Sequence, residues 1–350
     1  MINLLDKRVR SALAVGGIIA VALFGFAFRA LWLPEGVVEV QEPAVGERHP
    51  LSGELLSAPM DERPLVYGVM VENHEEALPQ AGVDEAFLVI EAPVEAAIPR
   101  WLAFFSSESN GERIGPIRSA RPYYVSWNAE LDGVYAHVGG SPESLDLLAS
   151  DDTVDINEFA NEEFFWRDHT REAPHNVYTS LELLSGAYRH FKNRFGAENP
   201  DYDSWQFKNK AEDVIPVASR IEVTFGYGDY AVAWVFDATA NRYARLQNGR
   251  AHELEDATSI MADNVVVMEM EMTILDRIGR RRLETVGRGE ARVYQDGQEI
   301  KGTWEKPSRE ARTRLYDEAG AEVFFNPGVT WIEVVPTLGD VEVDSTEDHG

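Results

Sequence analysis

The sequence predicts an α/β N-terminal domain, a mixed sheet with helices, followed by a β-rich, mainly antiparallel C-terminal domain, both carried behind an N-terminal single transmembrane helix. Three observations lead there. Residues 11–28 are 18 consecutive uncharged, mostly apolar residues between Arg10 and Arg29. Residues 61–215 alternate continuous apolar runs with capped helical patterns. Residues 216–336 hold short apolar runs separated by turn signals.

The apolar stretch comes first. As a helix it is about 27 Å long, enough for a bilayer core if Arg29 snorkels and Trp32 sits at the interface. Lys7, Arg8 and Arg10 precede it, so residues 1–10 read as a cytoplasmic basic tail, 11–33 as the anchor and the rest as extracytoplasmic. A cleaved signal peptide opens in the same way, but Phe28, Arg29, Ala30, Leu31 and Trp32 stand where a small-x-small site would follow. The chain has no cysteine, which removes lipidation through Cys, disulfides, thiol nucleophiles and cysteine zinc sites together. Its net charge of −28 repels nucleic acid and anionic lipid, so no nucleic-acid partner is expected and membrane association is expected to run through the helix. An anionic ligand would need a local basic pocket.

Residues 34–60, with Pro34, Pro43, Pro50 and Pro59 and no sustained period, read as an extended stalk. The α/β domain, 61–215, opens on three buried-strand runs at 65–71, 86–90 and 101–105, and such continuous apolar runs predict a sheet covered on both faces. Arg118 to Pro122 start a helix carrying Tyr123, Trp127 and Leu131 at spacings of four, and Gly133 ends it. A strand at 134–138 turns through Gly139-Gly140-Ser141-Pro142-Glu143 into a second helix. Thr179-Ser180-Leu181-Glu182 caps a third, whose apolar face runs from Leu181 to Phe195. From about 220 the pattern becomes strands at 221–227, 231–236, 243–246, 265–273, 291–294, 299–304 and 330–335, with Asp296-Gly297 as a hairpin turn. The acidic tail, 337–350, reads as disordered.

Familiar site signatures are absent from the sequence: no phosphate-binding Gly-x-x-x-x-Gly-Lys-Ser/Thr loop, no His-Glu-x-x-His and no Gly-x-Ser-x-Gly elbow. What stands out is a basic constellation in an acidic chain. Arg113, Arg118 and Arg121 fall within nine residues, and the last two flank Ser119 at a helix start, where unpaired amides and the dipole favour phosphate or carboxylate. The second helix start, Gly139, Gly140 and Ser141, can face the same space. The plainer alternative is that Arg118 and Arg121 pair with Glu91, Glu95 or Asp132. Glu72, Glu91 and Glu95 at strand ends are candidate general bases, and His175-Asn176, in a loop with Arg167, a candidate pocket lining. His137 lies in an apolar strand, where a core role competes with ligand binding. Neither a metal nor another cofactor is expected from these residues. Arg277, Arg280, Arg281 and Arg282 read as an exposed hairpin tip.

Four long motifs carry a likeness: Glu91-Ala92-Pro93-Val94-Glu95, Gly115 to Pro122, His137 to Glu143, and Ala173-Pro174-His175-Asn176-Val177-Tyr178-Thr179-Ser180. They resemble the YerB family of bacterial envelope proteins, a pair of domains of unknown function associated with lipoproteins, from about Arg63 to Pro336. The resemblance implies a boundary near 215 and a bacterial envelope location. It brings no established reaction. Two departures mark this chain: the family's lipidated cysteine is absent, and the glycine-rich turn after Glu95 reads Ala96-Ala97-Ile98-Pro99-Arg100. Envelope phosphotransferases of the LytR-CpsA-Psr type are similar only in placing arginines after a central strand.

Three functions follow as expectations. One is an envelope protein that binds an anionic ligand or a protein partner's acidic segment at an Arg-rich cleft. Another is a transferase or hydrolase acting on glycan or lipid-linked phosphate. The third is a non-catalytic interaction scaffold, in which the arginines are held in ion pairs.

Overall fold

A computed structural model describes residues 46–195, 200–212, 214–225 and 230–344. In the N-terminal half these form β1 (Val66–Glu72), β2 (Leu88–Pro93), β3 (Pro99–Ser106), helix α1 (Pro122–Ala129), β4 (Val134–His137), α2 (Pro142–Ala149), β5 (Asp155–Asn157), the short pair β6 (Trp166–Arg167) and β7 (Val177–Tyr178), and α3 (Leu181–Phe195). Next come β8 (Arg220–Val223), β9 (Val232–Asp237), β10 (Arg242–Gln247), β11 (Arg250–Ala251), β12 (Met261–Ala262) and β13 (Asn264–Glu269). The hairpin β14 (Met272–Ile274) and β15 (Arg281–Leu283) precedes β16 (Gly287–Gln295), β17 (Gln298–Lys306), β18 (Arg314–Asp317), β19 (Thr330–Val335) and β20 (Val341–Asp344).

The fold class differs from the one expected. The protein is mostly β-sheet, and the described α-helices are three, of 8, 8 and 15 residues. The helix-start signals at Pro122, Ser141 and Leu181 each mark a helix, but the first two end after about two turns, at the C-caps Glu130 and Ser150, the first of them before the expected stop at Gly133. Antiparallel neighbours and short 3-10 turns, rather than helical crossovers, join β1, β2 and β3. The expected transmembrane helix at 11–33 lies outside the described residues, as does the basic tail, and no described helix is long and apolar enough to cross a membrane.

Ten strands make one sheet in the order β18-β17-β16-β13-β19-β2-β3-β1-β4-β5. Its strands come from both sides of residue 215, and β2 and β19, from opposite halves, pair in parallel at its centre. Alternate side chains leave opposite faces. Tyr67, Val69, Val71, Trp101, Ala103, Val265 and Trp331 pack with α3 and a second sheet ordered β11-β10-β9-β8-β20. Met70, Ile90, Leu102, Phe104, Val266 and Ile332 pack with Tyr124 and Trp127 of α1. Both faces are therefore covered, as the unbroken apolar runs require.

Two further expectations change. Residues 46–56, placed in the stalk, fold back through an Arg48–Leu55 bridge and bury Leu51. Residues 341–344, placed in the disordered tail, form β20 on the edge of β8, because Val341 and Val343 turn their apolar side chains inward between acids.

Candidate functional site

Residues 114–121 thread past the ends of β1 and β4: Arg118 N–H donates to the Met70 carbonyl (2.9 Å), and Val138 N–H donates to the Arg118 carbonyl (3.1 Å). This places Arg118 over Glu72, the last residue of β1. Glu72 is buried and uses both oxygens: Oε1 accepts from Arg118 Nε (2.8 Å) and Oε2 faces His175 Nδ1 (2.8 Å). His175 Nε2 lies 3.1 Å from Glu76, and the His175 ring stacks on His74 at 5.3 Å. His74 caps the 3-10 turn Glu75–Ala77 after β1, its Nδ1 accepting from Glu76 N–H (3.2 Å). Glu72, Arg118 and His175 are thus brought together, and His74 and Glu76 join them.

The other arginines are held elsewhere. Arg121 makes a two-bond pair with Glu95 (2.8 and 2.6 Å). Burial pushes the Glu95 carboxyl up, but the Arg121 bonds outweigh it and hold the group below its usual range. Arg113 donates to Glu255 (2.7 Å) and Asp168 (2.6 Å) and sits over the Tyr178 ring, its Cζ 3.7 Å from the ring centre. Arg167 donates to Glu158 (2.6 Å) and Asn176 (3.3 Å). The Ser119 carbonyl accepts from Arg100 (2.7 Å), a buried arginine whose pKa is lowered by burial and then by Arg121.

The second helix start is structural. Both nitrogens of the fully buried His137 are occupied, by the Gly139 carbonyl and by Asp155 (2.6 Å each). Gly139 has φ of 58°, a left-handed turn that suits glycine, and its N–H donates to Asn157 (3.0 Å). A Cβ on Gly140 would stand 2.5 Å from Ser144 Oγ, so close packing of α2 accounts for that residue. Ser141 caps α2 by accepting from Ser144 N–H (3.3 Å).

Glu91 lies in the core rather than at a surface. Arg245 donates through Nη2 to Glu91 Oε2 (2.6 Å) and through Nη1 to His252 Nδ1. An arginine only donates, so His252 keeps its proton on Nε2 and gives it to Gln80 Oε1 (2.9 Å). Gln80 donates to Asn73 (3.1 Å), and Asn73 donates to Glu91 Oε1 (2.8 Å), closing a ring of five side chains. Trp101, Trp331 and Trp234 surround the guanidinium at 5.2, 5.3 and 6.0 Å. Sequence reasoning passed over Arg245, His252, Gln80 and Asn73; the one signal available was a glutamate inside an apolar strand, which must find a partner.

An open cleft of about 700 Å³ lies between Glu75 and the second sheet, lined also by Arg220, Glu222, Tyr230 and Asn248. None of the arginines singled out in the sequence lines it.

Two family models match the chain: the N-terminal domain of a protein of unknown function, DUF3048, over residues 51–194, and its C-terminal domain over 221–332. "Putative lipoprotein YerB" of Bacillus subtilis (strain 168) is 30% identical over 319 residues, 88% of this chain and 92% of that protein. The crystal structure of the YerB protein from Bacillus subtilis superposes with a TM-score of 0.75 at 28% identity, covering 85% of this chain and 99% of that one. The chain therefore belongs to the DUF3048 family, whose two domains of unknown function it carries in order.

Proposed function

We propose that this protein is an extracytoplasmic, envelope-associated protein that binds an anionic ligand, phosphorylated or carboxylated, at Arg118. The designation of the Bacillus subtilis relative as a lipoprotein supports the location. One observation carries the ligand. Arg118 is fastened to Glu72 through Nε alone, its two terminal nitrogens have no hydrogen-bond partner among the described residues, and its side chain is 24% exposed. A guanidinium fixed at one edge and open at the other is set for a two-bond grip on an oxyanion.

Inorganic pyrophosphate is the probe. Binding at 100 times the dissociation constant stabilises the fold by about 2.7 kcal/mol, which a thermal-shift assay reads directly. The wild type should shift and Arg118→Ala should not. No shift in the wild type, or an equal shift in Arg118→Ala, removes the proposal. The pairing of Arg113 and Arg121 with carboxylates favours a second reading, an interaction scaffold, under which pyrophosphate stabilises neither protein.

A further inference from the structure

We propose that His74, Glu76 and His175 form a binding site for a divalent transition-metal ion of the zinc class. One donor atom from each lies within 4.8 Å of the other two. His175 Nε2 stands 3.1 Å from Glu76 Oε2 and His74 Nδ1 3.8 Å from the same oxygen. The ligand-to-ligand edges of a tetrahedral zinc site are about 3.3 Å, given bonds of about 2.0–2.1 Å to nitrogen and oxygen. Because the His74 and His175 rings are stacked, rotation of the rings about χ2, with closure of the donors from up to 4.8 Å, brings the three onto one ion.

The chemistry of the donors points the same way. The buried Glu72 carboxylate sits on His175 Nδ1, and the opposite ring nitrogen, Nε2, faces Glu76. That nitrogen and that oxygen are both donor types for zinc, and an ion between them satisfies both. A carboxylate behind the far nitrogen of a histidine is the arrangement that orients metal-bound imidazoles and raises their basicity. His74 Nδ1 caps the 3-10 turn with a 3.2 Å bond from Glu76 N–H, a weak contact that an ion can replace while Nε2 keeps its proton. Two imidazoles and one carboxylate suit zinc, and three protein ligands leave the fourth position open.

The test uses the full-length, tag-free chain in mild detergent, stripped with EDTA and titrated with Co²⁺ and then Zn²⁺ in a buffer free of phosphate. Binding should reach one ion per chain, with the visible absorption of tetrahedral Co²⁺ bleached by Zn²⁺. Glu76 is 67% exposed, so Glu76→Gln should stay folded and lose at least tenfold in affinity. Glu72→Gln should lose about 10–100-fold through His175. Wild-type uptake well below one ion per chain overturns the proposal, and so does unchanged affinity in both Glu76→Gln and His74→Asn. Metal content is read without any anion present, so this result and the pyrophosphate result at Arg118 stand or fall separately.

Discussion

Glu333 lies directly opposite Glu91 in the parallel register of β19 and β2, and neither carboxyl group reaches solvent. Arg245 supplies one positive charge for the two acids. Glu333 Oε1 accepts from Trp234 Nε1 (2.8 Å), whereas Oε2 meets no donor and has Glu91 beside it. A proton on Oε2 aimed at Glu91 settles both the charge and the missing bond.

Burial, then the neighbouring Glu91 charge, raises the Glu333 pKa well above the ordinary 4.5. The folded protein therefore holds a proton that the unfolded chain releases above that value. The stability this group confers is complete below pH 4.5 and declines as pH rises toward the folded-state value. Glu333→Gln keeps the donor toward Glu91 without the proton. Thermal midpoints should show the variant equal to or above the wild type at pH 8, with the gap closing at acid pH. A gap that widens toward acid pH would mean that Glu333 is ionised in the fold.

His252 works in the opposite direction. Burial, then Arg245, lowers its pKa from 6.5 to about 2, so the folded protein keeps it neutral while the unfolded chain protonates it below pH 6.5. Its contribution is present above pH 6.5 and is lost as pH falls, by up to about 1.4 kcal/mol per unit. Above pH 4.5 the slopes from His252 and Glu333 oppose each other. Urea unfolding of His252→Gln across pH should show the acid-side slope of the wild type reduced by one proton. An unchanged slope would show that the ring is not held neutral.

Arg245→Met leaves the buried Glu91 without its counter-charge. The cost should be about 3–5 kcal/mol, the range for one half of a buried pair. Adding Glu91→Gln to Arg245→Met should recover part of that loss in equilibrium urea unfolding, because no uncompensated charge then remains. Additive losses in the double variant would show that the two residues are not coupled.

The strands of the main sheet were legible because its two covered faces leave continuous apolar runs, and Ser141 was legible as a cap because its pattern is local. Arg245 was not. In β10 the sequence Arg242-Tyr-Ala-Arg-Leu-Gln alternates as a half-exposed strand would, yet Arg245 and Gln247 are the residues turned inward and Leu246 is less buried. Only the return of a partner 154 residues away in sequence makes that orientation favourable. The helix signals were sound, but their short extent was set by tertiary packing, which is why an α/β domain was expected where a β-sheet formed. The Arg118 to Arg121 segment was found by composition, and its division into one open and one closed arginine depends on Glu72 and Glu95, which the spacing alone could not assign.

Ala96 and Ala97 have φ of 55° and 56°, in the left-handed region that costs a side-chain-bearing residue about 1 kcal/mol. They stand where the family resemblance implies glycine. Ala96→Gly should raise stability by about 0.5–1 kcal/mol, strain relief exceeding the added freedom of glycine in the unfolded chain. A lower urea midpoint in the variant would show that the backbone is not strained at this turn.

Arg121 and Arg118 should separate stability from ligand response. Arg121 has its Nε and one terminal nitrogen on Glu95 and the other terminal nitrogen on the Ala120 carbonyl (2.7 Å), so all three nitrogens are engaged and the side chain is only 13% exposed. Arg121→Ala should cost about 2 kcal/mol, in the range for charge-assisted bonds at a largely buried site, and should leave any pyrophosphate shift intact. Because Glu95 is held below its ordinary pKa, that contribution is present above the usual carboxylate range and fades as pH falls through it, so the penalty of Arg121→Ala should shrink in acid. Arg118→Ala leaves the buried Glu72 with His175 alone, so it too should lower the midpoint, by about 2 kcal/mol, but it should also abolish the response to pyrophosphate. If Arg121→Ala abolishes the response while Arg118→Ala keeps it, the ligand competes with Glu95 for Arg121 and the site lies at the start of α1 instead of over Glu72.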